Sequence, residues 1–308
     1  MDQSAGDIPD LPLVTLAGWL RRAERKYAEH GAALGQIATG ARDEALYLIL
    51  WTLDLPLGSD ASVLRRTPSA SESAALTSVF RRRLVERVPA AYLTGEAWLG
   101  GLRFQVDERV LIPRSYFVEV LPRQVDPWLP DPAKVTRVAD VCTGSGCLAI
   151  LLARHFKGAR VDALDLSPGA LEVARMNVRR HRLSGRIRLL LGDLFESAPT
   201  GRYDVILCNP PYEPTAHVDG LPEEFRREPR IALDGGPDGL ALVRRLVDQA
   251  AQRLRPRGIL LIEVGGGRAA FEAEFGHLEP HWLHTEDGSD CVCLIQAARL
   301  RPHARARS

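Results

Sequence analysis

The stretch Ile206-Leu207-Cys208-Asn209-Pro210-Pro211-Tyr212 runs an apolar, strand-like segment directly into an amide, two prolines and a phenol. Pro210 and Pro211 each hold φ near about −65°, so the corner is stiff. The Asn209 side-chain carbonyl and the Pro210 backbone carbonyl can accept both hydrogens of a planar –NH2 group. The Tyr212 ring offers such a group a flat, electron-rich face. This set suits methylation of an amide or aryl-amine nitrogen by an activated sulfonium methyl. The lone pair of that nitrogen is delocalised, so positioning and stabilisation of the growing positive charge must do most of the work. No general base is required, because the proton leaves a cationic product. The plainer alternative is a strand stopped by Pro-Pro, with Asn209 capping and Tyr212 packing.

A second group of candidates lies upstream. In "VADVCTGSGCLAILLA", Gly144 and Gly146 read as a tight turn between a strand and a helix, where backbone amides can approach a ligand. Alone, such a turn can equally be structural. Asp165 ends the next strand-like run about 20 residues later, where a carboxylate can accept from ribose hydroxyls. Asp193-Leu194 ends the one after, where a carboxylate and an apolar side chain can meet adenine. Asp165 can instead support the helix start at Ser167-Pro168, and Asp193 can be a turn former. Together, at the carboxyl ends of successive strands, they point to a nucleoside crevice. The sixth position of the glycine pattern is Ala149 rather than glycine, and no Lys-Ser/Thr follows, which argues against a nicotinamide site and a P-loop.

The elements that must position these residues are legible as periodicity. Strand-like runs at 136–142, 159–165, 187–191, 203–208 and 258–264 alternate with helical segments at 147–156, 168–182 and 239–254. That alternation predicts an α/β fold, a parallel sheet with helices on both faces. Runs near 281–286 and 291–297 fit an edge hairpin. Residues 12–30, with Leu13, Leu16, Leu20 and Tyr27 at helical spacing, predict a first helix. Asp43 is placed to cap a second through "EALYLILWTL", and "AALTSVFRRRLVERV" predicts a third that stops at Pro89. The expected organisation is a helical N-terminal substrate-recognition domain over 1–88, a β-hairpin linker over 89–114, a catalytic domain over 115–298 and a basic tail over 299–308.

Composition is that of an ordinary globular chain: 308 residues, 45% hydrophobic, 26% charged and net charge +1, so no global basic field marks a nucleic-acid binder. No apolar run approaches the length of a membrane span, and no secretory leader is expected. Five cysteines without paired spacing are expected to be reduced, mostly buried thiols of a cytoplasmic protein, with no metal site.

Asn-Pro-Pro-Tyr after a glycine-turn sheet resembles the class I, Rossmann-like S-adenosylmethionine-dependent methyltransferases that modify exocyclic or amide nitrogens. "VPAAYLTGEAWLGGLRFQVDERVLIPRS", "CTGSGC", "DLSPGALEVARMNV" and "EFRREPRIALDGGPDGL" are similar to the protein N(5)-glutamine methyltransferases. They lie nearer the branch acting on ribosomal protein L-three than the release-factor branch. The departure is Ser115-Tyr116-Phe117-Val118-Glu119, where that branch commonly continues Ser-Pro-Ile-Gly-Glu. The resemblance implies S-adenosylmethionine as cofactor, contacted by Thr143, Gly144, Gly146, Asp165, Asp193, Leu194 and Asn209. It implies a substrate glutamine held by Asn209, Pro210, Pro211 and Tyr212, with Asn209, Pro210 and Tyr212 catalytic. Glu228 is implied near the acceptor pocket, or else pairs with Arg226 or Arg227, and Arg114 faces cofactor, substrate or a surface partner. The implied partner is ribosomal protein L-three, free or in an assembling large subunit, with no membrane; the arginine tail itself reads as a frayed, solvated end, the alternative being a weak rRNA contact. Alternatives are a release-factor glutamine methyltransferase and a DNA or RNA adenine-N(6) methyltransferase. The mixed charges Arg22, Glu24, Arg25, Lys26 and Glu29 suit a protein partner at least as well as a phosphate backbone.

Overall fold

The structure, a computed structural model, describes residues 15–300. Leu13 and most of the basic tail lie outside that range. The chain divides into two compact units, one of Met1–Ala97 with Pro222–Arg227, the other of Trp98–Leu221 with Glu228–Ser308. The segment Pro222–Arg227, expected within the catalytic half, thus groups with the helical unit.

The first unit is built on amphipathic helices. α1 (Leu16–Glu29) starts where the Thr15 side chain accepts from the Gly18 N–H, and it buries Leu16, Trp19, Leu20, Ala23 and Tyr27 along one face. α2 (Ala41–Thr52) begins after Gly40, so Asp43 is not its cap but sits in the first turn, where a carboxylate still complements the helix dipole. α3 (Ala70–Leu84) starts earlier than the apolar pattern implies because Ser69 and Glu72 form a capping box. It also ends before Pro89, which instead precedes the short α4 (Ala90–Thr94). Within this helical core Arg83 is fully buried. Its Nε donates to Glu44 at 2.5 Å and its Nη1 to Glu224 at 3.2 Å, and Glu44 also accepts from the Tyr27 hydroxyl at 2.8 Å.

The hairpin β1 (Glu96–Leu99) and β2 (Leu102–Gln105) turns at Gly100-Gly101. No strand follows Asp107-Glu108; an unanticipated helix, α5 (Phe117–Gln124), comes next. The second unit continues with β3 (Arg137–Val141), α6 (Cys147–His155), β4 (Arg160–Asp165), α7 (Pro168–Arg180), β5 (Ile187–Leu191) and β6 (Tyr203–Cys208). The short helices α8 (Thr215–Gly220) and α9 (Glu223–Arg226) precede α10 (Ala241–Arg253). The chain then forms β7 (Leu254–Glu263), α11 (Arg268–Phe275), β8 (His281–Leu283) and β9 (Val292–Gln296).

The strands form one seven-stranded sheet in the order β5-β4-β3-β6-β7-β9-β8, parallel from β5 to β7 and closed by antiparallel β9 and β8. Both faces are covered. Val205 and Leu207 of β6 join the core that includes α5 and α6, while Ile206 and Cys208 join the core that includes α10 and α11. Successive side chains alternate between two apolar cores, so the strands read as unbroken apolar runs. The order reverses between β3 and β6, and at such a switch point the loops after the two strands diverge and open a crevice.

Among the described residues no helix is long and apolar enough to cross a membrane. All five cysteines are free thiols, four of them buried.

Arg83→Ala would strand the Glu44 carboxylate in an apolar core and should destabilise the helical unit by about 3–5 kcal/mol. Arg83→Ala with Glu44→Leu should recover part of that loss. Urea titration followed by helical circular dichroism checks both, and an Arg83→Ala variant with unchanged midpoint would refute the buried pair as a stabilising constraint.

Candidate active site

A cavity of about 440 Å³ opens at the carboxyl ends of β3, β4, β5 and β6. Its wall contains Gly144, Asp165, Asp193, Leu194, Asn209 and Pro211, so the fold brings together residues that lie up to 67 positions apart (144 to 211). Thr143, Gly146, Pro210, Tyr212 and Glu228 do not line it. Thr143, Gly146, Tyr212 and Glu228 each have a visible structural occupation.

Gly144 has φ +52°, and its N–H donates to the Asp165 carboxylate at 2.8 Å. The other Asp165 oxygen accepts from the Ser167 N–H at 2.9 Å, while the Ser167 hydroxyl caps α7 by accepting from Ala170. Asp165 thus supports the helix start and also lines the cavity. Burial raises its pKa even though the backbone N–H groups of Ser167, Gly144 and Leu166 oppose the shift. Gly146 begins α6 at φ +80°, and a Cβ there would lie 3.2 Å from the Ala174 Cβ, so it permits close packing on α7. Thr143 turns inward and donates its hydroxyl to Asp140 at 2.5 Å. Asp193 accepts from Arg245 at 2.6 Å, and Leu194 stands at φ +50° with its side chain buried.

At the end of β6, Asn209 is fixed by a partner that sequence reasoning missed. Its Nδ2 donates to Glu263 Oε1 at 3.2 Å, which leaves the Asn209 carbonyl oxygen for a ligand. Glu263, only 3% exposed, also accepts from the Ser115 hydroxyl at 2.5 Å and the Tyr116 N–H at 3.2 Å. Burial pushes its pKa up to about 7 against the opposing pull of these hydrogen bonds and of Arg114. Ser115 begins the stretch where the chain departs from its resemblance, and it now has a defined task.

The Tyr212 ring lies against Gly265, where a Cβ would sit 2.3 Å from the ring, and a Cβ at Gly239 would sit 2.2 Å from the Tyr212 carbonyl oxygen. These positions have no room for a side chain, and so the Pro-Pro-Tyr corner is packed backbone against backbone. Glu228 pairs with neither Arg226 nor Arg227. Its buried carboxylate accepts from the Ile112 N–H and from Arg114, each at 2.9 Å, which ties the segment before α5 to the loop after α9.

Asp140 and Glu263 carry a common signal: a lone acidic residue in or at the end of an apolar strand run, "VADVC" and "ILLIE". Asp140 is fully buried, its pKa raised to about 7 by burial, and its Oδ1 has no hydrogen-bond partner among the described residues.

The crevice can hold a nucleoside. Asp165 and Asp193 can accept from hydroxyl and amino groups, and Leu166 and Ile231, both in the wall, are 54% and 57% exposed apolar surfaces that a flat base would cover. Residues 127–279 match the methyltransferase small domain family. The chain is 46% identical over 288 residues to the ribosomal protein uL3 glutamine methyltransferase of Bordetella pertussis, covering 94% of this chain and 97% of that one. The proteins of the same name from Burkholderia pseudomallei and Francisella tularensis are 45% and 32% identical, covering 94% and 92% of this chain and 96% and 90% of theirs. A switch-point crevice of this composition and these matches define an S-adenosylmethionine-dependent methyltransferase of the class I fold. Within that class, the chain belongs to the ribosomal protein uL3 glutamine methyltransferase family.

A carboxyl whose folded pKa is raised binds more protons in the folded than in the unfolded chain between its two pKa values. Its contribution to stability is present at low pH and is lost as pH rises through about 7. Asp140→Asn has no such proton to lose. Relative to wild type, it should become steadily more stable between about pH 4 and pH 7 and level off above that, as measured by urea midpoints. A difference that stays flat across this range would show that Asp140 does not titrate there.

Proposed function

We propose that the protein methylates the side-chain amide nitrogen of a glutamine in ribosomal protein uL3. The observation that carries this reading is the hydrogen bond from Asn209, a residue of the cavity wall, to the buried Glu263. It engages the donor end of the Asn209 amide and leaves its carbonyl oxygen as an acceptor, beside a backbone that two prolines hold rigid. The names of the relatives agree with it.

In this reading Asp165, Asp193 and Leu194 hold the adenosine portion of the cofactor, with the Gly144 turn against it. Thr143 and Gly146 act indirectly, by shaping that turn. When bound, S-adenosylmethionine supplies a methyl group on a positively charged sulfur. The Asn209 Oδ1 and the Pro210 carbonyl accept the two N–H bonds of the glutamine amide and aim its nitrogen lone pair. The Tyr212 ring supports the plane of the amide, and burial keeps its phenol protonated by raising its pKa. As positive charge develops on nitrogen, both carbonyl dipoles already point at it, so little reorganisation is needed. The proton then leaves a strongly acidic product and needs no dedicated base. Arg114 and Glu228 act as a brace behind the acceptor side. The helical unit recognises the protein acceptor, and a ribosomal protein as substrate implies a cytoplasmic enzyme.

Asn209→Ala should keep cofactor affinity by calorimetry but lower turnover by at least about 100-fold. Near-normal turnover would dismiss the clamp. The acceptor is identified by incubating the enzyme and labelled cofactor with extract from cells lacking the protein, followed by mass spectrometry. Label on a uL3 glutamine supports the reading, whereas label on a release factor or on nucleic acid overturns it.

A further inference from the structure

The end of the sheet opposite the cavity has a regular composition. Each of the five parallel strands begins at or beside an arginine. Arg137 and Arg160 open β3 and β4, Arg186 and Arg188 flank the first residue of β5, Arg202 precedes β6, and Arg253 and Arg255 flank the first residue of β7. With neighbouring strands about 4.8 Å apart, this row crosses roughly 20 Å.

Some of these side chains serve the fold. Arg137 and Arg188 share Asp162 at 3.3 and 2.7 Å, Arg255 pairs with Asp204 at 2.6 Å, and Arg186 donates to the Phe156 and Ala159 carbonyls. Others do not. Arg160, Arg202 and Arg257 are exposed, and their side chains have no acceptor among the described residues. The same holds for Arg154, Lys157 and Arg179 at the ends of α6 and α7, which lie side by side on one face because both crossovers run in the same direction, from β3 to β4 to β5. Helix polarity accounts for cations in a last helical turn. It does not account for those at strand starts. With a net charge of only +1, a cationic edge of this kind leaves the rest of the molecule acidic and makes the field directional.

We infer that this strand-start edge is a docking surface for the phosphate backbone of double-helical RNA. Guanidinium forks match phosphate oxygens in pairs. Within the second unit Leu166, Leu191 and Ile231 lie at the carboxyl ends of the strands or in the cavity wall, which leaves Trp98 and Met176 as the large exposed apolar residues elsewhere, too few for a membrane surface. A single exposed ring, Trp98 beside Arg103, is too few for the series of stacking platforms that single strands require. The choice of RNA among polyanions rests on the proposed ribosomal substrate. Strands of five or six residues put the edge roughly 15–20 Å from the cavity, so RNA held there leaves the acceptor site open.

The test uses the full chain and a 20-base-pair RNA duplex, followed by fluorescence anisotropy across a salt series from about 50 to 200 mM. Wild type should bind, with log affinity falling linearly against log salt. The triple variant Arg160→Gln, Arg179→Gln, Arg202→Gln should bind at least about tenfold more weakly, with a slope shallower by about 2–3, and should keep wild-type cofactor affinity. No binding by wild type at 100 mM salt would overturn the inference. So would a variant with unchanged slope, or polyglutamate competing as well as RNA. The measurement needs no methyl acceptor, so failure to methylate uL3 would count against the proposed function and leave this result to be judged alone.

Discussion

An amide at the end of a strand can rotate, and a rotating amide presents a donor as readily as an acceptor. The hydrogen bond from Asn209 to Glu263 removes that freedom. It arises from register: β6 and β7 run parallel with Cys208 opposite Ile262, so the next residues along, Asn209 and Glu263, leave the sheet edge side by side. The carboxylate needs support of its own because it is almost completely buried. Ser115 and Tyr116 supply it from the segment that leads into α5. One polar chain thus runs from the start of α5 through β7 to the tip of β6, inside an otherwise apolar layer.

The same corner is confined from its other sides by close backbone approach. Gly239 and Gly265 admit the Tyr212 carbonyl and ring at distances that a side chain would forbid. Glu228 and Arg114 join two segments distant in sequence next to it. A proline corner is stiff within itself, but its direction in space depends on these contacts. Preorganisation here is a property of the surrounding loops as much as of the motif.

Charge is distributed along the strands with a polarity that matches their direction. Carboxylates gather where the strands end, at Asp165, Asp193 and Glu263, and guanidinium groups gather where they begin. Parallel strands make this possible, because every start lies on one edge of the sheet and every end on the other. An antiparallel sheet would have mixed the two.

The periodicity of apolar residues carried most of the fold. Five parallel strands and three of their helices stand where alternation placed them, because a strand buried on both faces has to be apolar throughout and the turns between strands are marked by glycine and proline. The early start of α3 is also written locally, in the Ser69–Glu72 box, which overrides the later onset of the apolar pattern. The site was half legible. Gly144, Asp165, Asp193, Leu194, Asn209 and Pro211 meet in one cavity, since strand-end positions converge once the sheet is parallel. The inward turn of Thr143, the pairing of Glu228 with Arg114, and the parts played by Asp140 and Glu263 were decided only by tertiary structure. A carboxylate at the end of an apolar run looks the same in sequence whether it faces water or a neighbouring amide. Which of the two it meets depends on the strand laid beside it, and that strand lies some fifty residues away.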